Sequence, residues 1–199
     1  MSHHRPPARS LVRTLSLAAL VAAVLLPAGC GDDTAKPRNA GGATAATLPA
    51  GLFATSEPAG ALKVLDARKS AKPGERVTVI GRIGGSRAPF VSTKAIFTMV
   101  DPTLKSCVEM GDHGDDHCPR PWDYCCEGKS EVSKAVASIE VVGADGKPLP
   151  IALNSTGELK PLMLVAVEGT LQSDASGAFV VRADKIYKFP NDPLAKHIK

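Results

Sequence analysis

The sequence predicts a mainly β domain that closes into a small barrel. Its apolar segments are short and rich in Val and Ile, and several alternate with polar residues at period two. Turns containing Gly, Pro, Asn and Asp separate them, and signals for helices are scarce.

The clearest strand is 76–83, with Val77, Val79, Gly81 and Ile83 on one face and Arg76, Thr78, Ile80 and Arg82 on the other. Pro73-Gly74-Glu75 before it is turn chemistry. A second strand covers 95–100 and stops at Asp101-Pro102. A third covers 137–142, and Asp145-Gly146 turns the chain back in a tight hairpin. Residues 148–153 are expected to pair with it at an edge, because Pro148 and Pro150 cannot donate to a ladder. Segment 161–171 is continuously apolar enough to be buried on both faces. A loop at 173–177 leads into the last strand, 178–188, and the tail beyond is polar and expected to fray. Five main strand regions of this length suit a small closed or half-closed barrel.

Val77-Thr78-Val79-Ile80-Gly81-Arg82-Ile83 resembles the first strand of oligonucleotide/oligosaccharide-binding (OB) folds. Phe97-Thr98-Met99-Val100-Asp101 resembles the second, Val165-Ala166-Val167-Glu168-Gly169-Thr170 the fourth, and Val180-Val181-Arg182-Ala183-Asp184-Lys185-Ile186 the fifth. The resemblance implies a five-stranded OB-like barrel with a cysteine-rich insertion between strands 2 and 3. It also implies a ligand groove, for which Arg82, Arg87, Lys94, Trp122 and Tyr124 are candidates. The helix that usually joins strands three and four is replaced by the short piece 154–160. The whole chain has one Trp, two Tyr and five Phe. Single-strand binders rely on aromatic stacking, so fold likeness here does not carry nucleic-acid binding with it.

The chain opens with an export pattern. Arg5, Arg9 and Arg13 precede the apolar run 15–26, and small residues Ala28 and Gly29 precede Cys30. That run is shorter than the roughly 20 residues a membrane-spanning helix needs. Residues 27–30 resemble a bacterial lipobox, with Pro27 where Leu is usual and Leu26 one step back. The resemblance implies a signal peptide over 1–29 and a lipidated (palmitate-bearing) Cys30 that anchors the protein to a membrane. The domain would then face the periplasm or the cell surface. The alternative is an ordinary cleaved signal that leaves Cys30 as an incidental thiol. Residues 30–58 read as a flexible linker, 59–190 as the barrel and 191–199 as a polar tail.

The formal charge of +4 comes largely from the leader. Without its three arginines, 21 basic residues face 20 acidic ones. Nucleic-acid binding draws most of its affinity from a basic excess, so this balance argues against such a partner.

Residues 107–126 hold Cys107, Cys118, Cys125 and Cys126. An even number of thiols in an oxidising compartment predicts two disulfides, with three possible connectivities. The alternative is a metal site for an ion such as Zn or Cu, using His113, His117 and Cys118, with Met110, Asp112, Asp115 and Asp116 nearby. His113 and His117 would share one helix face, but Gly111 and Gly114 argue for a loop. Redox-active thiols are a third reading. Trp122 and Tyr124 would either pack over the bridges or present an aromatic anchor to a protein or glycan partner.

No catalytic set stands out. Gly81-Arg82-Ile83-Gly84-Gly85-Ser86 lacks the dinucleotide-binding glycine pattern, and the mature chain has no Gly-x-Ser-x-Gly elbow. The sequence therefore predicts an exported lipoprotein that binds or scaffolds, with no enzyme activity and no cofactor. The alternatives are a metal-binding or thiol-redox lipoprotein using 107–126, and oligonucleotide or oligosaccharide binding on the barrel face.

Overall fold

The computed structural model describes residues 47–111, 118–173, 177–194 and 197. Along them run β1 (Phe53–Ala54), β2 (Leu62–Lys63), α1 (Val64–Ser70), β3 (Arg76–Ile83) and β4 (Ile96–Val100). A 3-10 turn (Pro121–Asp123), α2 (Lys129–Ala135) and β5 (Val136–Glu140) follow. A second 3-10 turn (Leu153–Thr156), β6 (Leu164–Ser173) and β7 (Phe179–Lys188) complete the order.

Five strands close into a barrel. β3 pairs antiparallel with β4, and β4 antiparallel with β5. β5 then pairs parallel with β7, β7 antiparallel with β6, and β6 antiparallel with β3. Alternation along each strand sends Val79, Ile83, Phe97, Met99, Ala137, Ile139, Val165, Val167, Val181 and Ile186 into one apolar core. The β6–β7 register shifts between Glu168 and Gly169, where Asp184 is the extra residue of a bulge that bends β7. Gly169 is required there, since a Cβ would come 2.1 Å from the Arg182 carbonyl oxygen.

Several expectations need correction. Both helices were missed because each has only seven residues, and each buries a single pair: Val64 with Ala67, Val132 with Ala135. So short a stripe does not stand out as a helical period. Residues 148–153 form no strand: Pro148 makes one isolated bridge to Val142, and a 3-10 turn begins at Leu153. The missing proline N–H groups prevent a longer ladder. Segment 161–171 is not buried on both faces throughout, because Glu168 and Thr170 are half-exposed.

The packed domain also reaches beyond 59–190 at both ends. Leu52 is buried in the core, and Phe53 pairs with Ile186. Asp192 and Leu194, in the stretch read as frayed, are buried as well. Residues 1–46, including the apolar run and Cys30, lie outside the described residues. Among the described residues no helix is long and apolar enough to cross a membrane.

Candidate metal centre

The cysteine-rich segment lies between β4 and β5 and is tied to the barrel at both ends. At the β4 end, fully buried Asp101 accepts hydrogen bonds from the backbone N–H of Leu65 and Thr103, which fixes the turn out of the strand. Ser106 donates its N–H and hydroxyl to Glu109, and Cys107 N–H reaches the Pro121 carbonyl at 3.2 Å. Residues 107 and 121–126 are thereby drawn together.

The second tether comes from the loop after β3. Gly85 N–H donates to the Trp122 carbonyl at 2.8 Å. At Gly84 a Cβ would lie 2.5 Å from that carbonyl oxygen and 2.9 Å from the Tyr124 ring, so the approach requires glycine. Tyr124 has a left-handed backbone (φ 57°) and is buried with Val100, Val132 and Ala135. This conformation is costly for a residue with a side chain and persists where the surroundings hold it. Beyond it, Cys125 N–H bonds back to Asp123 Oδ1 at 3.0 Å.

These constraints gather soft donors at one point. Cys107 Sγ lies 3.5 Å from Cys125 Sγ, Cys118 Sγ lies 3.7 Å from Cys125 Sγ, and Cys126 donates to Cys107 Sγ at 3.2 Å. Ligand atoms of Cys107, Cys118, Cys125 and Asp123 all fall within 4.8 Å of one another. The two expected disulfides are not formed in this structure, because a bridge needs about 2.05 Å between sulfurs. Three of the sulfurs converge on a common centre with Asp123, and Cys126 abuts Cys107, so the four do not separate into two distant pairs. Tetrahedral zinc with bonds of about 2.3 Å sets its sulfurs roughly 3.8 Å apart, close to the spacing of Cys118 and Cys125.

The electrostatics favour ionisation at Cys107 over the neighbouring thiols. Burial opposes its ionisation, but hydrogen bonds from Cys126, Cys125 and Cys118 outweigh burial and hold the thiol below its ordinary value. The same bonding to Cys107 pushes the Cys125 and Cys126 thiols up. Cys107 is thus the acceptor and its neighbours the donors, and a cation in the cluster would favour the deprotonated form of each.

The remaining sequence candidates scatter. His113 and His117 lie outside the described residues, whereas Cys118 joins the cluster. Asp123 was not singled out by the sequence. Its local signal is a carboxylate two positions before Cys125, and its role emerges only when the chain reverses at Tyr124. Arg82 is not available to a ligand: it is buried, and its guanidinium donates to Asp192 Oδ2 at 2.6 Å and to the Leu162 carbonyl. Tyr124 is 1% exposed, so it is no surface anchor. Its burial over α2 matches the packing reading, although no bridge lies beneath it. Half-buried Trp122 donates its indole N–H to the Arg87 carbonyl at 3.3 Å. Lys94 is exposed on the turn before β4 and does not border the cavity beside the cluster.

That cavity, of about 570 Å³, is lined by Arg87, Tyr124 and Val132 and also by the candidate ligands Asp123 and Cys125. The buried hydroxyls of Ser86 and Tyr124, both in its wall, have no hydrogen-bond partner among the described residues. The thiol cluster is therefore open to small molecules from one side.

No family model, curated protein or solved structure matches this chain. The chemistry of the centre follows from its donors. Deprotonated, its three thiols would form with the Asp123 carboxylate a soft, anionic set of the kind that can hold Zn or Cu.

Proposed function

We propose that this protein is an exported lipoprotein whose barrel holds a transition-metal ion, with zinc the best-matched ion and copper the second. The convergence of Cys107, Cys118, Cys125 and the Asp123 carboxylate within 4.8 Å carries this reading. In it, Cys107 supplies the buried anchoring thiolate, Cys118 and Cys125 complete a sulfur face, and Asp123 adds an oxygen donor or orients Cys125 through its N–H. Cys126 donates to Cys107 and would hold that sulfur in place. A bound ion would compensate charge that thiols alone cannot share. The open cavity beside Asp123 and Cys125 supports binding or delivering an ion.

The circuit β3–β4–β5–β7–β6 supports an OB-like assignment for the carrier. The cysteine-rich segment then occupies the connection between the second and third barrel strands. The lipobox-like residues before Cys30 support attachment to a membrane by lipid, on the periplasmic or cell-surface side, where the domain would meet its protein or glycan partners.

Purification under reducing conditions followed by elemental analysis tests the metal reading. About one equivalent of zinc per chain is expected, falling below about a tenth in Cys107→Ser and Cys125→Ser. A wild-type chain that carries no transition metal after reconstitution would overturn it.

A further inference from the structure

The four sulfurs are spaced for a second chemistry. Cys126 and Cys107 are the closest of the measured pairs, at 3.2 Å, and joining them leaves Cys118 and Cys125, which are 3.7 Å apart. Pairing Cys107 with Cys125 instead, at 3.5 Å, gives up the closest contact. Each sulfur of the favoured set needs to move only about 1–2 Å to reach bonding distance. Cys125 and Cys126 are exposed, so an external oxidant reaches one sulfur of each pair.

We propose that the cluster is a redox-gated metal site, in which an external disulfide converts the four thiols to Cys107–Cys126 and Cys118–Cys125 bridges and the ion is released. This rests on the metal reading above for the released ion, while the pairing stands on the sulfur geometry alone.

The electron balance is that of thiol–disulfide exchange. The exposed cysteine of each pair, once its thiol gives up its proton, attacks one sulfur of a low-molecular-weight disulfide, forming a mixed disulfide and expelling one small thiolate that takes up a proton. The partner cysteine then attacks the protein sulfur of that mixed disulfide and expels the second. Each bridge thus takes two electrons from two cysteines and reduces one external disulfide to two thiols, which carry away the protons. With both bridges formed no thiolate of the set remains to hold the ion, since metal binding requires the deprotonated sulfur.

The experiment adds oxidised glutathione to the reduced, zinc-loaded full chain and follows free zinc with a colorimetric chelator while trapping remaining thiols. Digestion at acidic residues separates Cys107, Cys118 and the 125–126 pair, because Glu109 and Asp123 lie between them. Tandem mass spectra that cleave between residues 125 and 126 then read the partners. Stoichiometric zinc release together with 107–126 and 118–125 linkages is the expected result. A vicinal 125–126 bridge, a 107–125 bridge, or zinc retained after all four thiols are lost would overturn the proposal. If the reduced chain never takes up zinc, the metal reading and the gating both fail. The linkage map of the metal-free chain still decides the pairing. Because single substitutions can unfold the segment, Cys107→Ser/Cys126→Ser and Cys118→Ser/Cys125→Ser double variants are compared, and each is expected to form the bridge left to it.

Discussion

Gly84 and Trp122 meet so closely that a methyl group on Gly84 would sit 2.5 Å from the Trp122 carbonyl oxygen. This backbone-to-backbone approach, next to the Gly85 N–H bond to the same carbonyl, locks the cysteine segment onto the end of β3. Gly84→Ala should therefore push residues 122–124 outward. The expected result is zinc affinity weaker by about tenfold or more, as for other changes to groups that orient ligands. The stability cost should be about 1–3 kcal/mol, the usual range for overpacking. Competition with a chelator measures the first and urea unfolding the second. Gly128→Ala is the control, because the nearest atom to its new Cβ lies at an ordinary 3.7 Å. Equal affinities for the two variants would show that the tether does not shape the site.

Asp192→Ala should destabilise the domain by about 3–5 kcal/mol. It strips the partner from Arg82, leaving a buried, uncompensated guanidinium. Urea titration at pH 7 measures the loss, and a cost under about 1 kcal/mol would show that the tail does not stay docked.

The same pair sets a pH dependence. Burial opposes ionisation of Asp192, but hydrogen bonds from Arg82 and the Leu194 N–H prevail and hold the carboxyl below its ordinary value. The folded state therefore binds this proton less readily than the unfolded chain does. Its stabilisation is fully present above the usual carboxylate value of about 3.9 and is lost as pH falls through the lower folded value. The stability gap between wild type and Asp192→Asn should accordingly narrow between about pH 4 and the acid end of the titration. A gap that stays constant to pH 2 would refute this linkage.

Val79→Asp and Val165→Asp should each abolish the cooperative unfolding transition, since both positions are 0% exposed in the barrel core and offer a carboxylate no partner. Far-ultraviolet circular dichroism and urea titration would report it. A folded Val79→Asp variant would contradict the position of β3 in the closed sheet.

Cys30→Ala should move the protein from the membrane to the soluble fraction, or stall it as precursor, in a host that processes bacterial lipoproteins. Unchanged membrane attachment with normal maturation would remove the lipid from the account.

What could be read from the sequence and what could not divide along a physical line. Strands β3, β4, β5 and β7 were legible because inward and outward residues alternate at period two, as in Val77-Thr78-Val79-Ile80, and burial on one face leaves that pattern in the chain itself. The seven-residue helices carried no comparable pattern. The cysteine segment was legible as a place where chemistry could occur, since four thiols within twenty positions are visible without coordinates. Whether those thiols pair or share a ligand depends on distances between residues 107, 118 and 125. Two backbone contacts that no local propensity encodes, Cys107 to Pro121 and Gly85 to Trp122, help set those distances. Arg82 shows the same division. Its sequence position placed it on the outer face of a strand, beside a ligand groove. Asp192, 110 positions along the chain, decided that it would be buried, because a desolvated guanidinium is tolerated where a carboxylate meets it at 2.6 Å.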